Sequence, residues 1–123
     1  MKNGSDLYCQ IFIDTEMNEN EIVKTIKSFI NGKIMSIETH IKNKILDIQI
    51  NLNEEYDETR KRDIKSGFLF YPYYLDIFPS ENNNEREYIS HIKQLISFLE
   101  EKNCVVVAAC DFEDELDIHN LNK

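Results

Sequence analysis

The run Cys104–Cys110 is the feature that most constrains the fold of this 123-residue chain. It places three valines and two alanines between two cysteines. Polar and apolar residues do not alternate in it, as they would in a strand with one solvent-exposed face. This pattern predicts a strand that lies centrally in a sheet or is covered on both faces. The run is also too short to cross a bilayer. The rest of the chain must therefore supply the strands and helices that bury it.

Strand-like alternation recurs earlier in the chain. Apolar residues occupy every second position of Leu7–Asp14 and of Leu46–Leu52, and this period of two is typical of strands with one buried face. The alternate residues of Met35–Thr39 predict a further strand. Because the link His40–Lys44 is short and polar, we expect this strand to form a hairpin with Leu46–Leu52.

An aromatic segment, Gly67–Phe78, predicts a fourth strand. Pro72 near its middle lacks a backbone N–H, which favours an edge position in the sheet or a bulge. The preceding segment, Asn53–Ser66, is charged and has no periodicity. We expect it to be a long exposed loop between the third and fourth strands.

Two other segments repeat apolar residues at helical spacing. Asn18 and Glu21 form a capping-box pattern before the first helix, and Asn31–Gly32 is expected to end it, with the glycine in the left-handed conformation. The same capping pattern begins at Asn84 before the second helix, which Asn103 is expected to close.

The order β-α-β-β-β-α-β predicts a single α+β domain over residues 1–123. It suggests a split βαβ sheet in an elaborated ferredoxin-like arrangement, with both helices on one face. Right-handed crossovers would place the first and last strands side by side. The residues after Cys110 would emerge beside Asp14 and Glu16 or at the opposite end of the first strand, depending on whether that pair is parallel. The sequence leaves both arrangements open.

The charge of the chain narrows the class of its partners. A net charge of −9 disfavours unspecific binding to nucleic acid, which needs concentrated lysine and arginine. The basic cluster Arg60–Arg62 directly follows an acidic stretch, so its charges nearly cancel. The charge favours a basic protein as the partner instead. We expect this protein not to bind membranes. Met1–Asp6 lacks the pattern of a secretory signal, so a cytoplasmic location is expected.

No catalytic or cofactor-binding pattern accompanies these elements. The cysteines Cys9, Cys104 and Cys110 lie in apolar strand-like runs without metal-ligand spacing, and we expect reduced thiols in the core. The histidines His40, His91 and His119 are also not spaced for a metal and are expected at the surface. Glycine-rich phosphate loops and nucleophile elbows are absent from the sequence. The residues therefore predict a protein without enzymatic activity, cofactor or metal.

Five carboxylates follow the last strand, and three tyrosines lie in the aromatic segment. The acids are Asp111, Glu113, Asp114, Glu115 and Asp117; the tyrosines are Tyr71, Tyr73 and Tyr74. The acids do not have the spacing of a calcium loop. They are either a solvated charge run or a docking surface for a basic protein. Tyrosines that are exposed could anchor such an interface, whereas buried ones would belong to the core.

The tract Phe68–Pro79 and the segment Val107–Leu116 together resemble immunity proteins of bacterial polymorphic or contact-dependent inhibition toxin systems. The chain departs from that pattern at Phe78, where related tracts carry an acid, and at Asp117, where proline is usual. The resemblance implies an inhibitor, monomeric when free, that binds the toxin domain of its own system one to one. A nuclease toxin, with a positive groove for phosphates, would suit an acidic inhibitor. The five carboxylates would then supply charge, and the three tyrosines would be anchors.

Two alternatives from other classes remain. The first is a small enzyme or ligand-binding domain that uses the sheet face opposite the helices as a pocket. The second is a structural module that self-associates through the strand edge containing Pro72. A deep pocket with convergent polar groups would favour the first, symmetric dimers would favour the second, and a flat or convex acidic surface would favour the inhibitor.

Overall fold

One antiparallel sheet organises the computed structural model, which describes residues 7–80 and 84–116. The strands of this part of the chain are β1 (Cys9–Asp14), β2 (Lys33–Ile34), β3 (His40–Lys42), β4 (Leu46–Leu52), β5 (Tyr73–Pro79) and β6 (Val105–Cys110). The helices are α1 (Glu19–Ile30), α2 (Glu85–Glu101) and the short α3 (Glu113–Leu116). The predicted α+β class is therefore confirmed. Within the described ranges, no helix combines the length and apolar character that a membrane crossing requires.

The strand order is β2-β3-β4-β5-β1-β6, so β1 lies between β5 and β6, and β6 is an edge strand. The prediction that Cys104–Cys110 lies centrally in the sheet or is covered on both faces is therefore wrong, and Val105 is 52% exposed. Ile11 faces Leu75 of β5 on one side and Ala108 of β6 on the other. The predicted contact between the first and last strands is confirmed, and the pair is antiparallel. Because Cys9 faces Cys110 in this register, the chain leaves β6 at the start of β1 and far from Asp14.

Alternation along the strands separates a buried face from a more polar one. Cys9, Ile11 and Ile13 of β1 are fully buried and join the core that α1 and α2 cover. The two helices also contact each other, since the rings of Phe29 and Phe98 stack with their centroids 4.0 Å apart. The apolar stripes of both helices thus pack on the same face of the sheet.

The ends of the helices follow the sequence signals, with one exception. Asn18 and Glu21 form the predicted capping box, each side chain accepting the other's backbone N–H at 2.9 Å. Asn103, with a φ of 70°, follows α2 as expected. At the end of α1, however, Asn31 and not Gly32 adopts the left-handed conformation, with a φ of 54°. Gly32 is needed for space, because a Cβ there would lie 2.8 Å from Cγ2 of Ile41.

The predicted hairpin is displaced along the chain. Residues 40–42, expected in the turn, form β3, and residues 35–39, expected as a strand, form the connection from β2. The side chain of Asn43 accepts the N–H groups of Ile45 and Leu46 at 2.8 and 2.7 Å and so closes a tighter turn than the polar link suggested. Ile41 is consequently the buried residue of β3, opposite the buried Ile48 of β4.

The fourth predicted strand begins later than its aromatic pattern indicated. Gly67–Phe70 is a 3₁₀ helix, and Pro72 precedes β5, where no N–H is needed for the sheet. β5 is an interior strand, paired with both β1 and β4. Pro72 therefore lies neither at a sheet edge nor at a bulge within the strand, so both positions expected for it are wrong.

The charged segment before β5 is an ordered connection. The side chains of Asn53, Asp57 and Asp63 each accept a backbone N–H from two residues further on, which forms three successive Asx turns. Backbone N–H donors, chiefly those of Arg60 and Ser66, lower the pKa of the Asp57 and Asp63 carboxyl groups. Asn53 further donates to the carbonyl of Tyr71 at 2.7 Å, so the segment returns to the sheet. Ile64 at its tip is fully exposed, in agreement with the predicted exposed loop.

The three cysteines do not share one environment. Cys9 and Cys104 are buried, as expected, whereas Cys110 at the end of β6 is only half-buried. The prediction of three buried core thiols is therefore wrong for Cys110. It is the last residue of its strand, so the sheet no longer covers it fully.

Tyr88 of α2 provides a test of this packing. Its side chain is fully buried, and its hydroxyl lies 2.6 Å from the carbonyl oxygen of Leu7, to which it donates, and 3.2 Å from that of Ile77. We expect Tyr88→Phe to lower the free energy of unfolding by about 1 kcal/mol, because a buried hydrogen bond is lost while the ring is kept. Urea denaturation measures this change. Tyr73→Phe is the control, since the described residues offer its hydroxyl no such buried bond; equal effects of the two changes would contradict the assignment.

Candidate functional site

The predicted acidic residues surround α3 at the end of the sheet where β1 begins. Phe112 and Leu116 are each 1% exposed and fix the helix to the core, with the Phe112 ring against Tyr88. We call the carboxylates held outside by these contacts the α3 surface: Asp111, Glu113, Asp114 and Glu115. Asp117 and His119 lie outside the described residues. The α3 surface is shared with basic groups, since Glu115 lines one depression together with Arg86 and Lys93 of α2.

The three predicted tyrosines are not brought together with the α3 surface. Tyr73 packs against the helix-covered core, whereas Tyr74, its neighbour in β5, lies on the opposite face with its ring 5.9 Å from Phe12. Tyr71 precedes the strand, and all three side chains are half-buried. Tyr71 and Tyr73 lie at the end of the sheet that is remote from α3.

At that remote end, the structure forms a concave site that the sequence did not reveal. A groove of about 610 Å³ opens between the end of β1, the start of α1 and the connection before β5. We call it the acidic groove. Its charged side chains are Asp14, Glu16, Glu58 and Lys61; its apolar and aromatic ones include Met17, Tyr56, Pro72, Tyr73 and Val105.

Lys61 connects the two sides of the acidic groove. Its Nζ lies 3.0 Å from Oδ1 of Asp14 and 3.4 Å from Oε1 of Glu58. The bond to Asp14 contributes most to raising the pKa of the Lys61 ammonium. Tyr56 donates its hydroxyl to Glu58, which is the main reason that the pKa of this carboxyl is lowered. The lining of the groove thus holds three carboxylates against one ammonium, and Arg62, which lies 3.7 Å from Glu58, adds a second positive charge beside that carboxylate.

Exposed apolar groups line the same groove. Tyr56 is 46% exposed and Val105 is 52% exposed, although both are large hydrophobic side chains. Aromatic and aliphatic groups next to a ring of charges are typical of protein interfaces, where rigid side chains supply contact area and the charges fix orientation. This combination distinguishes the acidic groove from the α3 surface.

Sequence patterns carry little signal for the groove because its residues come from distant segments. Asp14 and Lys61 are 47 positions apart, and the antiparallel sheet with the folded-back connection brings them together. The basic cluster Arg60–Arg62 is partly neutralised locally, as expected, since Arg62 lies 3.7 Å from Glu58 and Arg60 lies 3.9 Å from Asp57. Lys61 alone turns inward, which only the three-dimensional path of the connection could show.

The sheet face opposite the helices offers less for a small ligand. Asp76 accepts hydrogen bonds from Tyr8 and, at 3.0 Å, from the Asn51 amide, so the polar groups at its centre bond to one another. Phe68 from the folded-back connection packs edge-on against Phe12, with the ring centroids 5.2 Å apart. Within residues 7–80 and 84–116, no three histidine, cysteine or acidic side chains come together to hold a metal ion.

Fold and groove together define a small α+β protein with a groove that is lined by carboxylates and apolar side chains. Comparison of the chain with protein-family models, curated proteins and solved structures gives no significant match. The function must therefore be argued from the site itself.

Gly67 tests how the acidic groove is positioned. A Cβ on this buried glycine would lie 2.2 Å from the carbonyl oxygen of Lys61, a distance at which the backbone must move. We expect Gly67→Ala to lower the free energy of unfolding by about 1–3 kcal/mol, as overpacking does, and to separate Lys61 from Asp14. Urea denaturation and the amide shift of Asp14 report the two effects. The control is Thr59→Ala at an exposed position of the same connection; a similarly small effect of both changes would contradict this packing.

Proposed function

We propose that this protein is a bacterial immunity protein, an inhibitor without turnover that binds the toxin domain of its own system one to one in the cytoplasm. The observation that carries the proposal is the acidic groove, where three carboxylates and exposed apolar groups surround a single ion-paired lysine. A lysine or arginine of the partner would enter between Glu16 and Glu58. Tyr56 and Val105 would provide the apolar contact around it.

A nuclease is the class of toxin that we propose. Nuclease domains bind phosphates through clustered lysine and arginine, and an acidic inhibitor competes for the same groups. The net charge of −9 would speed the encounter of the two proteins through electrostatic steering. The buried contacts in the groove would then slow dissociation, as desolvated anchors do in other interfaces.

The two acidic surfaces have different roles in this proposal. The acidic groove is the docking site, with Tyr71 and Tyr73 at the same end of the sheet. The α3 surface contributes to the long-range field but not to the contact, because it lies at the opposite end of β1 and beside Arg86 and Lys93. Tyr74 faces away from the groove, so we do not include it among the anchors.

We also propose a ferredoxin-like core for this α+β domain, with the β2–β3 hairpin added at one edge. The support is the order β4-β5-β1-β6. In the first unit, α1 connects β1 to β4, and β5 lies between these two strands. In the second unit, α2 connects β5 to β6, and β1 lies between them. Two interlocked split βαβ units give this order.

The test measures binding to the toxin domain encoded beside this gene, by calorimetry and stopped-flow at two salt concentrations. We expect a tight one-to-one complex that weakens with salt. Two matched variants then locate the interface: Glu16→Gln with Glu58→Gln in the acidic groove, and Asp111→Asn with Asp114→Asn on the α3 surface. Both remove two negative charges, so the net charge of the two variants is the same.

The two variants have different expected outcomes. The groove variant should weaken binding by about tenfold or more, mainly through faster dissociation, because its charges are desolvated in the complex. The α3 variant should change mainly the association rate, by a few-fold at low salt. Absence of binding to any neighbouring gene product at low salt would overturn the immunity function. A larger effect of the α3 variant would overturn the groove as the docking site.

A further inference from the structure

Two cysteines face each other across the β1–β6 pair. Cys9 and Cys110 are direct partners in the antiparallel register. Facing residues of such a pair have Cα atoms about 4.5–5.5 Å apart, which falls within the range that a disulfide spans. The two thiols also form a hydrogen bond with each other, and this bond shifts the pKa of both thiols.

The two thiols differ in exposure and in acidity. Cys9 is fully buried, and the pKa of its thiol is raised because of the bond to Cys110 and its burial. Cys110 is half-buried, and hydrogen bonds from Cys9 and from the backbone of Phe112 lower the pKa of its thiol. The neighbouring carboxylates of Glu113 and Asp111 oppose this shift. Cys110 is thus the more acidic and the more accessible of the two thiols.

We propose that Cys110 is a thiol-modification site that reacts with low-molecular-weight disulfides and then forms an intramolecular disulfide with Cys9. The Cys110 thiolate attacks one sulfur of the small disulfide, whose S–S bond breaks and releases one thiolate. The Cys9 sulfur then attacks the Cys110 sulfur of the mixed disulfide, and the second small thiol leaves with the proton of Cys9. The protein loses two hydrogen atoms, and the small disulfide is reduced to two thiols.

This modification is independent of the acidic groove. The disulfide would join β1 to β6 at the α3 end of the sheet, while Asp14 and Val105 pair at the other end. Cys104 precedes β6 at that other end, where burial raises the pKa of its thiol. It therefore serves as an internal control for unselective oxidation.

The test treats the folded full-length protein with glutathione disulfide and follows it by intact mass, thiol titration and peptide mapping. We expect the mass to fall by two hydrogen atoms, two of the three thiols to disappear, and one peptide to link Cys9 with Cys110. The thermal midpoint should rise on oxidation and return on reduction, because the bond closes a long loop without displacing the strands.

Three variants distinguish this route from others. Cys9→Ser should stop at a stable glutathione adduct on Cys110, Cys110→Ser should not react, and Cys104→Ser should oxidise like the wild type. Cys9→Ala serves the same purpose if Cys9→Ser does not fold. A wild-type product that remains a mixed disulfide, or that links two chains, would overturn the proposal. Loss of the reaction in Cys104→Ser would overturn it as well.

Discussion

The register of β1 is the constraint on which the rest of the structure depends. Hydrogen bonds to β5 and β6 hold this strand on both sides, and its residues alternate between the helix-covered core and the opposite face. A slip of one position would turn Cys9, Ile11 and Ile13 out of the core. The same register places Asp14 at one end, where it meets Lys61, and Cys9 at the other, opposite Cys110. The acidic groove and the cysteine pair are thus two consequences of one alignment.

The acidic groove and the α3 surface both carry several carboxylates but differ in shape and in their apolar surroundings. Buried Phe112 and Leu116 hold the α3 carboxylates on the outside, next to basic residues of α2. In the acidic groove, the carboxylates surround a concave surface with exposed Tyr56 and Val105. A cation that enters the groove would exchange water for several carboxylates and an aromatic ring at once. Desolvated contacts of this kind lower the dissociation rate of a complex, whereas exposed charges mainly raise its association rate.

The sequence predicted elements wherever one local signal dominated. Alternation identified β1 and β4, and the capping box at Asn18 identified the start of α1. Local signals failed where a side chain redirected the backbone: Asn43 tightened a turn, and the chain ahead of Pro72 formed a 3₁₀ helix instead of a strand. The α3 carboxylates were visible because they lie within one short segment of the sequence, residues 111–115. The acidic groove was not, since its parts meet only after β1, β5 and the connection between β4 and β5 have folded together.

The most direct test of the central claim is an NMR titration of the isotope-labelled protein with a catalytically inactive form of the neighbouring toxin domain. If the acidic groove is the docking site, the perturbed backbone amides will cluster at residues 14–18, 56–61 and 103–105, around the Asp14–Lys61 ion pair. Perturbation centred on residues 111–116, or on the sheet face around Asp76, would contradict it.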